Sequence, residues 1–191
     1  MISTKERVAR TTREILEAEG AEAVSMRRVA AVVGIPPSAL YRHYPSREAL
    51  LSEVCDAAFE EVAGAWRVQP RRHNPEDDLF AAADMMVDFA LSRPRLYMYM
   101  FTERRDRARR FPDDFVDGQS PTLNVVVADL EDGMSRGVFR HDDPWATAFT
   151  VAAQLHGLIA LYLGGRIAMD EPAFRDLCHD CLRRLLHGIR S

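Results

Sequence analysis

The chain has 191 residues, of which 47% are hydrophobic and 28% are charged, and these proportions exclude a disordered or fibrous protein. The first twenty residues are charged throughout and lack the apolar run of a secretory signal, so we expect a cytoplasmic protein. The net charge of −4 is uneven: residues 1–50 hold eight basic and six acidic side chains, which leaves −6 on the rest. A basic head on an acidic body favours contact with phosphates at one end only.

Three helices are predicted in the basic head, at residues 4–19, 26–33 and 37–43. Ser25 provides an N-cap for the second helix, and Gly34 ends it, because glycine adopts the left-handed conformation of a helix C-terminus without strain. The third helix is short, since Pro37 suits its first position and Pro45 disfavours helical geometry at the residue before it. The head is therefore a set of three helices joined by tight turns.

Six further helices are predicted in the body, at about residues 47–66, 79–91, 94–101, 122–136, 144–167 and 172–188. Ser46 caps the first of them, which carries an unbroken apolar stripe. The alternation in Tyr97–Phe101 also fits a strand, but a lone strand would leave its edges unpaired, so we expect a helix. Residues 103–121 predict an exposed connection. The prediction is an all-α fold of about nine helices, with a helix-turn-helix domain at 1–48 and a helical bundle at 49–191.

The run at residues 144–165 is the only candidate for a membrane span. Gln154 and His156 interrupt it, so we interpret it as a helix buried in protein and expect no membrane partner. Three cysteines in a cytoplasmic chain favour reduced thiols. Cys178 and Cys181 have C-x-x-C spacing, so a metal or redox site is the alternative to thiols packed near a subunit interface. Because no further ligand is adjacent, we expect no metal and no cofactor.

The pair of helices joined at Gly34 is typical of a helix-turn-helix, whose second helix enters the major groove of DNA. Leu40 and Tyr44 share a face and are expected to anchor that helix, while on the other side Arg42 is able to bond two guanine acceptors. The groove-facing residues are Pro37, Ser38, Ala39, Tyr41 and Arg42. Phosphate contacts are expected from Ser25, Arg27, Arg28, Arg47 and the Tyr41 hydroxyl. The alternative is a helical hairpin whose charges only solvate its surface.

The run TTREILEAEGAEAVSMRRVAAVVGIPPSALYRHYPSREALL, from Thr11 to Leu51, resembles the DNA-binding domain of the TetR family of bacterial regulators. The likeness includes the glycine after the first helix, the serine cap, Gly34 and the segment LYRHYPSREAL. One departure is Pro36, where family members often have a serine or threonine cap. The resemblance implies DNA contacts at Pro37, Ser38, Ala39, Tyr41, Arg42 and His43, with a basic residue at Arg47.

The segment VAAQLHGLIALYLGG resembles the Trp-His-Gly motif of one TetR ligand-domain subgroup, with Leu155 where tryptophan would be. The resemblance implies a homodimer formed by the last two long helices, here about 144–167 and 172–188, in a helical bundle. The predicted dimer interface consists of Leu155, Ile159, Tyr162, Leu177, Cys181, Leu182, Leu185 and Leu186. A dimer would place two heads about one DNA turn apart, ~34–36 Å, on a near-palindromic site.

Methionine and aromatic side chains in the body suit a deformable ligand cavity, although core packing is the alternative for each of them. His156 is either a satisfied core histidine or a polar group of the pocket. The predicted pocket consists of Met85, Met86, Phe89, Tyr97, Phe101, Met134, Phe149 and His156.

These patterns predict a regulator and not an enzyme, because no Ser-His-Asp order, glycine-rich phosphate loop or His-Glu metal motif is present. We expect a homodimeric repressor that binds double-stranded operator DNA and is released by a small-molecule effector, with the long fourth helix joining head to body. The alternative is a helical ligand-binding or scaffolding protein without DNA-binding activity, against which Tyr41, Arg42 and Arg47 argue.

Overall fold

The computed structural model describes residues 3–105, 107–116, 118 and 120–190. Within these ranges the regular structure is helical apart from an isolated β-bridge between Phe139 and Arg190, which confirms the all-α prediction. The α-helices are α1 (Thr4–Glu19), α2 (Met26–Val33), α3 (Pro37–Tyr41), α4 (Arg47–Arg67), α5 (Pro75–Ser92), α6 (Pro94–Phe101), α7 (Asp113–Val116), α8 (Pro121–Ser135), α9 (Pro144–Leu163) and α10 (Glu171–Ile189).

Three differences from the predicted elements have local causes. Helix α7 was not expected, because its 4 residues are too few to show a helical period. Helix α3 ends at Tyr41, so the two residues after it lie in a turn. Helix α5 begins earlier than predicted, where the Asn74 side chain accepts a hydrogen bond from the Glu76 N–H at 3.2 Å. The helix expected at Tyr97–Phe101 is confirmed as part of α6. In the predicted connection 103–121, residues 106, 117 and 119 lie outside the described residues.

The helix ends follow the caps that the sequence contains. Ser3 and Glu6 form a complete capping box at the start of α1, and the Ser25 hydroxyl accepts a hydrogen bond from the Arg28 N–H at 3.2 Å at the start of α2. Asp143 accepts hydrogen bonds from two backbone N–H groups at the start of α9. Each of these side chains satisfies donors that a helix leaves unpaired in its first turn.

The chain divides into two compact units that do not follow the predicted boundary after residue 48. The head unit comprises residues 1–59 and 92–108, and the body unit comprises residues 60–91 and 109–191. Helix α4 is continuous and contributes residues to both units. As a boundary between functions, the division after residue 48 stays a prediction.

The core of the head unit joins α1 to α6 as well as to the helix-turn-helix. Leu96 and Tyr97 on α6 are fully buried, as is Leu16 on α1. At one end of the pair, the Arg95 side chain donates a hydrogen bond to the Glu17 carbonyl at 3.3 Å. This packing places α6 with the head, although it lies more than fifty residues from α3 in the sequence.

The body unit is built from α5, α8, α9 and α10 around fully buried side chains such as Leu130, Ile159 and Leu186. Phe139 lies directly against Gly133 of α8: a Cβ atom at that glycine would be 2.2 Å from the Phe139 Cδ2 atom. Only a residue without a side chain allows this approach, so Gly133 is fixed by core packing.

Helix α9 is long and apolar enough to cross a membrane, and it is the one such helix in the part of the chain that the structure describes. The single chain buries only 22% of its apolar window. The apolar pattern of this helix was interpreted as that of a helix buried in protein. Packing inside the single chain therefore does not explain why the helix is so apolar. Its exposed face carries small and apolar residues: Ala146, Thr150, Ala153, Gly157 and Leu161.

Candidate nucleic-acid interface

The turn between α2 and α3 is built on Gly34, which adopts the left-handed conformation with a φ of 76°. Its N–H donates to the carbonyls of Ala30 and Ala31 at 3.0 and 3.2 Å, and the Ile35 N–H also bonds Ala30 at 3.0 Å. These bonds satisfy the last carbonyls of α2 while the chain reverses direction. The tight turn fixes where α3 begins.

Helix α3 is held from one side only. Leu40 is fully buried and Tyr44 is 2% exposed, so both anchor residues lie in the core of the head unit as predicted. The Tyr44 hydroxyl donates a hydrogen bond to the Glu53 carboxylate at 2.9 Å, and Lys5 pairs with the same carboxylate at 3.0 Å. Burial is the main cause that raises the pKa of Tyr44 above its ordinary value. The phenol therefore stays protonated and ties the end of the recognition segment to α4.

The other side of α3 is free for a partner. Pro37, Ser38 and Tyr41 are exposed, as are Arg42 and His43 in the turn that follows, and Ala39 is half-buried. Tyr41 exposes 53% of its surface, which is unusual for so large an aromatic residue in a packed domain. These residues share one surface of the head unit, which we call the α3 face. Their role as DNA contacts remains a prediction.

Arg28 was predicted to contact phosphate, and the structure engages it within the head unit. Its guanidinium donates hydrogen bonds to the Glu19 carboxylate, one of them at 3.0 Å, and to the Ala23 carbonyl at 3.3 Å. The hydrogen bond from Arg28 is the main cause that lowers the pKa of Glu19. A phosphate would have to displace this carboxylate, whereas the exposed Arg27 has no such partner among the described residues.

Arg47 is also held inside the head unit. Its Nε donates to the Val24 carbonyl at 2.8 Å and its Nη2 donates to the Ala21 carbonyl at 2.6 Å. These carbonyls belong to the short 3-10 turn at Ala21–Ala23 and to the residue after it. Arg47 thus clamps the connection between α1 and α2 to the first turn of α4, and we call this contact the Arg47 clamp.

Sequence reasoning missed the Arg47 clamp and a second contact of the same kind. The Arg7 side chain donates to the Val33 carbonyl at 2.6 Å and so joins α1 to the C-terminus of α2. Every residue has a carbonyl, so the acceptor of such a bond leaves no mark in the sequence. From the sequence alone, Arg7 and Arg47 are both interpreted as charges exposed at the surface.

The predicted ligand-pocket residues do not form one group. Tyr97 and Phe101 belong to the head unit, and the other six belong to the body unit. Met86, Phe89, Tyr97 and Met134 are buried, whereas Phe149 is 39% exposed and stacks on Phe111 with ring centroids 4.3 Å apart. Burial lowers the pKa of His156 to about 4, which matches a neutral histidine in a packed environment.

A cleft in the body unit lies where the sequence analysis did not expect one. It has a volume of about 40 Å³. Of the predicted pocket residues, Met85 lines it. The complete lining consists of Trp66, Gln69, Arg71, Arg72, Asp78, Ala81, Ala82, Met85, Val125 and Asp129.

The predicted dimer interface divides into buried and partly exposed residues. Ile159, Leu182 and Leu186 are at most 5% exposed in the single chain, so they pack in its core and offer no surface to a partner. The apolar pattern of a helix does not separate its core face from its partner face, and a role of these three residues at an interface stays a prediction. The partly exposed members are Leu155, Tyr162, Leu177, Cys181 and Leu185, and they remain a prediction.

The C-x-x-C pair lies on α10 with one thiol in the core. Cys178 is 2% exposed, and burial, followed by the neighbouring Cys181, raises its pKa to about 11. A thiol with so high a pKa is a poor nucleophile and a poor metal ligand at neutral pH. No group of three or more potential metal ligands occurs within the described ranges.

Comparison with known proteins identifies the family. The model described as "Bacterial regulatory proteins, tetR family" matches residues 9–54, which contain the α2–α3 turn and the Arg47 clamp. The model described as "Tetracyclin repressor-like, C-terminal domain" matches residues 79–188. The second match alone spans more than half of the chain. The chain therefore belongs to the TetR family of bacterial regulatory proteins, which confirms the predicted resemblance.

Individual proteins agree with this assignment. The chain is 31% identical over 127 residues to the HTH-type transcriptional repressor DrrR1 of Streptomyces coeruleorubidus, a match covering 64% of this chain but 43% of that repressor's length. A protein of unknown function from Rhodococcus sp. RHA1 has the same fold, with a TM-score of 0.80, 19% identity and coverage of 100% and 97% of the two chains. The regulator FadR of Bacillus subtilis, solved with stearoyl-CoA, has a TM-score of 0.72, 13% identity and coverage of 96% and 98%.

Proposed function

We propose that the protein is a cytoplasmic transcriptional repressor, without enzymatic activity, that binds a DNA operator as a homodimer and leaves it when a small molecule binds. The observation that carries this proposal is the α3 face: a short helix anchored by Leu40 and Tyr44 that exposes Ser38, Tyr41 and Arg42. A short helix whose apolar side packs on its own domain and whose opposite side is polar is suited to the major groove of DNA. The repressor DrrR1 among the relatives agrees with repression.

The α3 face divides into base and phosphate contacts. Arg42 is the candidate for a forked contact with guanine, and Ser38 reaches a base edge or a phosphate. The carbon atoms of Pro37 and Ala39 suit a thymine methyl group, and His43 lies beside them in the turn. Specificity is therefore expected to depend most on Arg42.

Phosphate contacts are expected around the start of α2. Its first N–H groups and the partial positive charge of a helix N-terminus favour an anion, and the exposed Ser25 and Arg27 lie there. Arg28 and Arg47 shape this surface instead of contacting phosphate, because Glu19 and the carbonyls of the first connection hold their guanidinium groups. This assignment replaces two phosphate contacts that the sequence suggested.

A second copy of the chain is the expected partner of α9. The helix is apolar, mostly unburied in the single chain and lined with small residues such as Ala153 and Gly157, which allow two helices to approach closely. Leu177 and Cys181 on α10 are partly exposed and extend this surface. A dimer of this kind would carry two α3 faces and match a near-palindromic site.

The test has two parts. Light scattering on the purified chain is expected to give twice the chain mass of 21.6 kDa. Selection from a random DNA pool is expected to yield two related half-sites about 10 base pairs apart centre to centre, or a multiple of that spacing. A monomer in solution, or a pool that stays random after selection, would contradict the proposal.

A further inference from the structure

We propose that Arg104 and Arg107, in the segment that follows α6, contact the phosphates of operator DNA, an inference that rests on the proposed function. We call residues 104–108 the arginine segment. They belong to the stretch that was predicted only as an exposed connection. Three observations support the inference: the distribution of charge in the head unit, the lack of partners for these two arginines, and the position of the segment beside the start of α2.

The net positive charge of the head unit comes from its second part. Residues 1–59, which contain the helix-turn-helix, hold eight basic and eight acidic side chains, so their net charge is zero. Residues 92–108 hold five arginines and two acidic residues and therefore contribute +3. The body unit holds twelve basic and nineteen acidic side chains. Because affinity for the DNA backbone depends on positive charge, residues 92–108 are the stretch best suited to provide it.

Most basic side chains of residues 1–59 already have partners within the head unit. Those that bond carboxylates or backbone carbonyls are Lys5, Arg7, Arg10, Arg13, Arg28 and Arg47. Arg27 and Arg42 have no such partner among the described residues, and both are exposed. Arg104 and Arg107 are likewise exposed and without a partner in the described part of the chain. The arginine segment therefore doubles the number of head-unit arginines that are available to phosphate.

Arg105, between these two residues, anchors the arginine segment. Its Nη2 atom donates a hydrogen bond to the Met100 carbonyl at 2.8 Å, and its guanidinium lies over the Tyr99 ring, 5.6 Å from the centroid. The Ala108 N–H donates to the Arg105 carbonyl at 3.1 Å. An anchored segment loses less conformational freedom on binding than a free tail does, which favours contact with DNA.

Tyr99 also connects the arginine segment to the start of α2. Burial is the main cause that raises the pKa of Tyr99, whereas Arg105 and Arg47 act in the opposite direction, so both guanidinium groups lie near its hydroxyl. Arg47 in turn donates to the Val24 carbonyl at 2.8 Å, and Val24 directly precedes the Ser25 cap. The arginine segment therefore lies beside the N-terminus of α2, where phosphate contacts are expected, and extends them.

The main experiment compares an Arg104→Ala/Arg107→Ala variant with a charge-matched control, Arg67→Ala/Arg140→Ala. Both variants lose two exposed arginines, but the control loses them from the body unit. Operator affinity is measured by fluorescence anisotropy over a range of salt concentrations. Loss of two phosphate contacts flattens the slope of log K against log salt by about 1.8, so the loss of affinity is about sixtyfold larger at about 0.1 M than at about 1 M salt. An unchanged slope, or an equal change in the control, would overturn the inference.

Ethylation interference locates the contacts on the DNA. For the original chain, ethylation of phosphates near each half-site is expected to weaken binding. In the Arg104→Ala/Arg107→Ala variant, one such position for each arginine should lose its effect, whereas the control should keep the full pattern. The Tm and the selected sequence should not change, because neither arginine supports the fold or reads a base. Identical interference patterns for the variant and the original chain would contradict the proposed contacts.

Random-sequence DNA and lipid vesicles separate this inference from the proposed function and from a membrane partner. An operator-selecting chain whose salt slope does not depend on the arginine segment would refute the inference and leave the repressor. A chain that selects no sequence, but loses salt-dependent binding to random DNA in the variant, would refute the repressor and leave the phosphate contact. Binding to phosphatidylglycerol vesicles that the variant loses, with DNA binding unchanged, would overturn the inference in favour of a membrane surface.

Discussion

Replacing Arg47 with alanine is expected to destabilise the head unit without removing a phosphate contact. The substitution deletes two hydrogen bonds from a charged donor, of 2.8 and 2.6 Å, to the carbonyls of Val24 and Ala21. Bonds to charged groups contribute about 1.5–3 kcal/mol each, and partial exposure of the side chain reduces the total here to about 2 kcal/mol. For a chain of this length that corresponds to a fall in Tm of about 4–8 °C.

Thermal unfolding followed by circular dichroism measures this loss, and the salt dependence of operator binding distinguishes the two roles of Arg47. As a clamp, its removal lowers the Tm but leaves the slope of log K against log salt unchanged. As a phosphate contact, its removal would flatten that slope by about 0.9. An unchanged Tm with a flatter slope would refute the Arg47 clamp, and Arg27→Ala, which should show that second pattern, is the matched comparison.

Three further substitutions test other parts of the structure. Arg42→Ala is expected to weaken operator binding by about 1–3 kcal/mol and to relax preference at one base position, without changing the Tm; a uniform loss across sequences would contradict base reading. Because burial lowers the pKa of His156 to about 4, the unfolded chain binds a proton more readily, so stability falls as the pH drops from about 6.5 toward 4. That effect amounts to about 2 kcal/mol at pH 5, and His156→Gln should remove it in urea titrations at pH 7.5 and 5. Gly133→Ala places a methyl group 2.2 Å from Phe139 and should cost about 1–3 kcal/mol, whereas Gly64→Ala, with open space around it, should not destabilise.

The helices of the head were predictable because their signals are local. The Ser25 cap, the left-handed Gly34 and the four-residue spacing of Leu40 and Tyr44 depend on neighbours in the sequence, and the structure retains all of them. The packing of α6 against α1 was not predictable, because it joins segments more than seventy residues apart, as the Arg95–Glu17 bond shows.

The features of the site that were not predicted depend on which surfaces pack against each other in the folded chain. The spacing of residue types along the sequence does not show this. Arginines that bond backbone carbonyls, such as Arg47, look like free charges in a sequence. In α9 nearly every residue is apolar, so the pattern did not separate Ile159 in the core from Leu161, which is 48% exposed. The cleft in the body unit was missed because Trp66, which lines it, fits the apolar stripe of α4, and the lack of an acceptor for its indole N–H among the described residues is evident only from the folded surroundings.

The most direct test of the central claim is a footprint of the selected operator with the original chain and with a Ser38→Ala/Arg42→Ala variant. If the α3 face reads DNA, the original chain protects two half-sites in successive major grooves, about 10 base pairs apart, and the variant loses this protection while keeping its Tm. Equal protection by a folded variant would show that the α3 face does not read the operator.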